Sequence, residues 1–282
     1  MLKLVECPRD AMQGWHRMIS TDEKVAYLNA LLRVGFDTID FGSFVSPKFI
    51  PQMADTREVL PRLQLTGSSS KLLAIVANVR GAEDAVAFDE ISYLGYPFSV
   101  SETFQLRNTN KTIAESLEQV NTIQELCIKN RKELVVYISM GFGNPYGDPY
   151  SPEIVLRWVE EMVKLEIGII SLADTVGLAA PETVKQLFSH LVPAYPGVEI
   201  GAHLHAGPNN WKEKVLAAYE HGCTRFDSSI RGIGGCPMAE DELVGNLATE
   251  NLIAFCEEHR EPLSLNMPAL RGAQQLANSV FI

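Results

Sequence analysis

A chain of 282 residues that is 46% hydrophobic and 21% charged carries enough apolar material for a sizeable core. That excludes global disorder and suits one large barrel or two ordinary domains. The net charge of −11, with no long basic run, argues against nucleic acid or an anionic membrane as the main partner, so any anionic ligand must be held by local positive groups. Five scattered cysteines without a CxxC pair argue against a disulfide framework and for a reducing cytosol. The opening MLKLVECPRDAMQ reads as neither a secretory signal nor a transit peptide, and no 18-residue apolar run is present.

Along the chain, short apolar runs alternate with longer helical patterns. The runs fall at 2–6, 38–41, 72–77, 91–93, 134–139, 167–172, 198–203 and 225–229, and several are short and β-branched, as buried parallel strands are. The segment 21–34 places Val25, Leu28, Leu31 and Leu32 at helical spacing, with Ser20 or Thr21 as its cap and Gly35 just past its end. The segments 113–130, 152–166, 181–191 and 209–221 read the same way, and Pro152 and Pro181 suit first helical positions. About eight strand–helix units in one chain predict an α/β fold, a closed TIM (β/α)8 barrel forming a single catalytic domain over residues 1–282. The doubly wound open sheet is the alternative, but no GxGxxG fingerprint supports it.

In such a barrel, chemistry belongs at the C-terminal ends of the strands. Arg9 and Asp10 follow the first run, Asp40 and Ser43 end the second, and Asn78 the third. Asp174 and Thr175 end the sixth, His203 and His205 the seventh, while Asp227 and Ser228 lie on the eighth. Within GAHLHAG at 201–207, His203 and His205 are two apart, so on a strand both imidazoles share a face and can meet one metal; two unrelated histidines are the alternative. Imidazoles alone suit zinc, copper, iron or nickel, and added oxygen ligands move the choice towards Mg²⁺ or Mn²⁺. In ECPRDAMQ at 6–13, a strand runs directly into Arg9-Asp10: a hard oxygen ligand beside a guanidinium fork able to bind an enolate or carboxylate, or else a surface ion pair. In the segment 231–252, Gly232, Gly234 and Gly235 present Cys236 on a flexible loop, which suits a lid carrying an acid–base group or an ordinary loop with an incidental thiol. Asn246 and Glu250 follow at the head of a predicted helix, where Asn246 is either a cap or a ligand. Lys48, in 41–60, meets a phosphate or simply solvent.

Taken together, VECPRDAMQ, SFVSPKFIPQMAD, SLADTVGL, GAHLHAG, IRGIGGCP and GNLATENL resemble the 3-hydroxy-3-methylglutaryl-CoA lyases, within the metal-dependent TIM-barrel lyases and synthases, over nearly the whole chain. The resemblance implies a barrel with a short helical C-terminal extension, a divalent cofactor (Mg²⁺ or Mn²⁺), an acyl-CoA substrate and a homo-oligomer, a dimer. It implies Asp10, His203, His205 and Asn246 as metal ligands, and Arg9, Asp40, Asp174, His203, Cys236 and Glu250 as the catalytic set. Arg9, Gln13, Ser43 and Thr175 are the substrate-binding set. The implied reaction is a retro-Claisen cleavage of a 3-hydroxy-3-methylglutaryl-CoA-like thioester; a related synthase or aldolase acting on a 2-oxo acid is the nearer rival, and a binding-only protein the more distant one. Three departures stand out. Asp40 replaces a usual Glu, Ala206 replaces the usual Asp after the second histidine, and Arg231 replaces a small residue.

Overall fold

The computed structural model describes residues 2–235 and 244–282. Its strands are β1 (Lys3–Glu6), β2 (Thr38–Ser43), β3 (Lys71–Ile75), β4 (Ile91–Ser99), β5 (Glu133–Ser139), β6 (Ile169–Ala173), β7 (Glu199–His203) and β8 (Arg225–Ser228). All pair in parallel in sequence order, and β1 closes on β8 with Lys3 opposite Arg225 and Glu6 opposite Ser228. The architecture is the TIM barrel that the alternation of runs predicts.

The helices are α1 (Pro8–Gln13), α2 (Thr21–Leu32), α3 (Thr56–Val59), α4 (Val79–Val86), α5 (Glu102–Thr109), α6 (Ile113–Lys129), α7 (Pro152–Lys164), α8 (Pro181–Ala194), α9 (Trp211–Tyr219), α10 (Thr249–Glu258) and α11 (Met267–Val280). Local chemistry sets their starts. Ser20 caps α2 and exchanges hydrogen bonds with Glu23, and Thr112 does the same with Glu115 at α6. Pro152 and Pro181 occupy the first turns of α7 and α8, where a missing N–H costs nothing. Beyond α2, Gly35 takes a φ of +89°, which its lack of a Cβ permits. Asn78 accepts the Gly81 N–H at 2.8 Å to cap α4, so this strand-end polar group serves a helix rather than the barrel mouth.

One strand departs clearly from expectation. The sequence pattern ends β4 at Tyr93, whereas the strand continues to Ser99 and pairs with β5 from Tyr93–Glu133 to Ser99–Ser139. Gly95 and Pro97 weaken its propensity signal, yet Gly95 is required by packing: a Cβ there would lie 2.5 Å from Ile75 Cδ1.

Most of the core is an apolar sheath between barrel and helices. A second cluster, Leu73, Ile75, Tyr93, Val135, Tyr137 and Ile169, fills the barrel interior, as alternate residues of parallel strands do, and forms the floor on which the mouth rests. The C-terminal helix α11 packs on α2, with the Asn266 N–H bonded to Val34 O at 2.8 Å and Arg17 Nη2 to Val280 O at 2.7 Å. No helix among the described residues is long and apolar enough to cross a membrane.

Candidate active site

The polar residues that converge do so at the C-terminal mouth of the barrel. Pro8 starts α1 directly after β1, so the turn lifts Arg9 and Asp10 into the barrel axis while both stay buried. The Arg9 fork grips Asp40 at the end of β2: Nε lies 3.2 and 3.0 Å from its two carboxylate oxygens and Nη2 lies 2.5 Å from Oδ2. Nη1 donates to Asp10 Oδ1 (3.0 Å) and Gln13 Oε1 (2.8 Å), and Gln13 returns a bond to Asp10 at 2.8 Å. Of the five guanidinium N–H groups, this leaves one on Nη2 without a partner among the described residues. Burial pushes the Asp40 carboxyl up to about 6 against the pull of Arg9. Burial also acts against the Asp10 charge, but Arg9 and the two imidazoles outweigh it and hold Asp10 below the usual carboxylate range.

His203 ends β7 and His205 lies two residues on. His203 Nδ1 donates to Asp227 Oδ2 at 3.0 Å, and His205 Nδ1 donates to the Val244 carbonyl at 3.0 Å. With both Nδ1 atoms committed as donors, each imidazole in its neutral form keeps its lone pair on Nε2, and the two Nε2 atoms face each other at 3.3 Å. Burial, with His203 alongside, presses the His205 pKa down to about 4, so its imidazole is neutral near pH 7. Burial works against a charge on His203 too, but the Asp227 hydrogen bond and charge outweigh it and raise its pKa. The donor atoms of Asp10, His203 and His205 lie within 4.8 Å of one another. Two facing ring nitrogens beside a carboxylate are brought together by a shared cation, a proton or a metal ion, and the donor set of two imidazoles and a carboxylate fits a divalent metal. Asn246 reaches the same place but presents its nitrogen: Nδ2 donates to Asp10 Oδ2 at 2.6 Å and to Ile233 O at 3.0 Å. It does not cap α10, whose cap position is Ala248. The tight fit around it requires Gly234, where a Cβ would lie 2.4 Å from the Asn246 amide nitrogen.

These groups open onto a cavity with polar walls from Arg9, Asp10, Gln13, Ser139, Thr175, His203 and His205 and apolar walls including Val45, Phe49, Ile75, Pro97 and Phe104. Tyr137 rises from the floor, its ring edge-on to His203 at 5.7 Å between centroids. Of the other residues expected in the site, several lie elsewhere. Asp174 is turned from the cavity to Lys214 of α9, 2.7 Å away. Ser43 donates to Ile75 O and lines a separate groove with Arg57 and Arg80. Glu250 accepts the Arg231 N–H and a Gln274 N–H, both at 2.9 Å, which ties the turn after β8 to α11. Thr175 lines the cavity while its hydroxyl accepts the Met140 N–H. Lys48 is exposed. Cys236 lies outside the described residues. Sequence reasoning passed over Tyr137 and Ser139, whose alternation within LVVYIS was a usable signal, and Lys214 and Asn108, which carried none. It also passed over Glu6, fully buried, which accepts the Ile230 N–H at 2.8 Å and the Thr249 hydroxyl at 2.6 Å.

The HMGL-like family model matches residues 3–277 of the chain. The chain belongs to the HMGL-like family. A curated relative, the mitochondrial hydroxymethylglutaryl-CoA lyase of Macaca fascicularis, is 34% identical over 260 residues, covering 91% of this chain and 78% of the relative. Among solved structures, an HMG-CoA lyase from Acinetobacter baumannii, in complex with coenzyme A and 3-methylmalate, superposes with a TM-score of 0.91 at 33% identity, covering all of this chain and 91% of that one. The Bacillus subtilis HMG-CoA lyase superposes at 0.92 and 30% identity, covering 99% and 93%. In this HMGL-like chain, two of the three family departures have structural counterparts. Asp40 meets Arg9 despite its shorter side chain, and the His205 ring, followed in the chain by Ala206, is held by the Val244 carbonyl.

Proposed function

We propose that this chain is a carbon–carbon lyase that cleaves 3-hydroxy-3-methylglutaryl-CoA to acetyl-CoA and acetoacetate by a retro-Claisen reaction, with its whole length acting as one catalytic domain. The observation that carries the reading is Arg9, held rigid by two carboxylates with one N–H left over, beside the Asp10–His203–His205 donor set at the cavity wall. Family membership over 3–277 and a relative bound to coenzyme A support the acyl-CoA substrate.

A bound Mg²⁺ or Mn²⁺, held by Asp10, His203 and His205 with Asn246 beside them, would supply Lewis-acid polarisation of the tertiary hydroxyl. The chain's own groups do the rest. The bond between the carbinol carbon and the carbon α to the thioester breaks, and its electron pair moves onto the α carbon and thioester oxygen as the enolate of acetyl-CoA. The free Arg9 N–H is positioned for that oxygen, and Asp40 keeps the fork from turning away; such preorganised donors are worth most in a buried site. The hydroxyl proton leaves, the carbinol carbon becomes the ketone of acetoacetate, and the α carbon takes up a proton. His203 and Cys236 are the groups we assign to these two transfers. Gln13 and Thr175 bind the substrate's polar end. Asp174 stands outside the cavity as the counter-charge of Lys214, Glu250 supports the site through the turn at Arg231, and we assign Ser43 to the groove beside it. The protein works as a homodimer, which light scattering on the purified chain tests, and in a reducing cytosol, consistent with four buried free thiols among the described residues.

The deciding experiment measures acetoacetate release from 3-hydroxy-3-methylglutaryl-CoA with and without chelator, beside condensation of acetyl-CoA onto 2-oxo acids. Metal-dependent acetoacetate release supports the lyase; condensation without cleavage replaces it with the synthase.

A further inference from the structure

Lys214 enters the account above only as the partner of Asp174, yet its setting is unusual for a lysine. It projects from α9 and is 2% exposed. Its ammonium donates to Asp174 Oδ2 at 2.7 Å, Gly177 O at 3.1 Å and His205 O at 2.8 Å. Three N–H groups meet three acceptors, so the group is fully committed. The acceptors belong to the segments that follow β6 and β7, which Lys214 thereby ties to α9. One of the three is the main chain of His205 itself.

Burying an ammonium and a carboxylate together is seldom the most stable way to fill a core; apolar residues of similar volume usually serve as well or better. What the pair adds is geometry. His205 stands beyond the end of β7, where an isolated antiparallel bridge to Asn246 takes over from the barrel ladder: the Leu247 N–H reaches Leu204 O and the Ala206 N–H reaches Gly245 O, both at 3.1 Å. Its ring is held by the Val244 carbonyl, and Ala206, next in the chain, offers only a methyl. That bridge holds the neighbours' main chain, and the bond from Lys214 adds a side-chain anchor on the His205 carbonyl itself. Movement there would change the 3.3 Å spacing of the two Nε2 atoms directly.

We infer that Lys214 is a positioning residue for His205: acting through the carbonyl, it sets the imidazole in register with His203 and Asp10. The inference rests on the metal-binding reading of that site. Groups that orient metal ligands from outside typically contribute about 10–100-fold in affinity.

The test compares the two halves of the pair in the full chain, titrating with Mn²⁺ alone by calorimetry and recording thermal unfolding in parallel. Lys214→Met removes all three donors. Asp174→Asn leaves an oxygen acceptor and keeps the bond from Lys214 to His205. Both variants should unfold at lower temperature, since each leaves a buried group without its counter-charge. Only Lys214→Met should weaken Mn²⁺ binding, by about tenfold or more, with Asp174→Asn within about twofold of wild type. If Lys214→Met does not fold, Lys214→Gln, which is polar but one bond shorter and uncharged, takes its place in the same comparison. Equal changes in Mn²⁺ affinity for the two halves would reduce Lys214 to a structural ion pair and overturn the inference alone. A wild-type chain that binds no Mn²⁺, or binds it unchanged after His205→Ala, would overturn the metal reading and the inference with it.

Discussion

Two buried ion pairs flank the histidines of this barrel, and they differ in how completely their charges are used. Lys214–Asp174 is sealed: each ammonium hydrogen has an acceptor, and neither residue lines the cavity. Arg9–Asp40 is open: it borders the cavity, keeps one N–H unspent, and shares its surroundings with Asp10 and Asp227 and with imidazoles whose free nitrogens face each other. A sealed, balanced pair fixes the shape of the protein. An open and unbalanced one retains capacity to bind something else, and perturbed titrating groups in a cleft are the mark of such a place.

The most severe way to break this contrast is to remove a candidate ligand. His205→Ala should abolish calorimetric Mn²⁺ binding and bring turnover down to that of the chelator-treated wild type; retained affinity would show that the open pair is not part of a metal site. Next in size, Arg9→Lys should fold, as judged by circular dichroism, but lose about 10²–10³-fold in kcat, because an ammonium cannot hold two carboxylates and still present a planar fork to an oxyanion. Near-normal turnover would place enolate stabilisation elsewhere.

A smaller effect is expected at Asp40. Asp40→Asn should cost about 10–100-fold in kcat/KM, as loss of an orienting partner commonly does, with little change in thermal stability. Because burial lifts this carboxyl to about 6, the wild type should lose activity as pH falls through about 6 and Asp40 takes up a proton and loosens Arg9. That limb should be absent from the pH profile of the Asn variant; its persistence would assign it to another group.

The smallest effect concerns Glu6, a buried acid with no cationic partner among its hydrogen bonds. Burial pushes it up to about 8 from an ordinary 4.5. Its folded pKa is therefore above its unfolded one, the folded chain holds the proton longer, and its contribution to stability is full below pH 4.5 and lost as pH rises through 8. Thermal unfolding midpoints recorded across that window should decline with pH in the wild type and flatten in Glu6→Gln. Equal slopes would show that Glu6 is ionised in the folded protein.

These contrasts mark where sequence reasoning succeeded and where it stopped. Two residues apart on a strand end was enough to bring His203 and His205 to one face, and the strand–turn–helix start at Pro8 was enough to bring Arg9 and Asp10 to the mouth. Both are local consequences of backbone geometry. Asp174 was expected in the same ring because an aspartate at a strand end reads alike whether it faces a ligand or a lysine forty residues away. Asn246 read as either a cap or a ligand, and only its two acceptors in the folded chain, Asp10 Oδ2 and Ile233 O, show that its amide nitrogen is turned to Asp10.

By itself, then, the sequence determined the period of the strands and helices, the capping of α2 and α6, the closure implied by eight alternating units, and which histidines and acids share a face. Those are set by spacings of a few residues, which propensity and periodicity report directly. Only the tertiary structure decided which acids face the cavity, that β4 runs on through Gly95 and Pro97, and that Lys214 reaches His205. Each of those depends on groups distant in the chain becoming neighbours in a low-dielectric interior, where burial and pairing, rather than residue type, set a side chain's charge and direction.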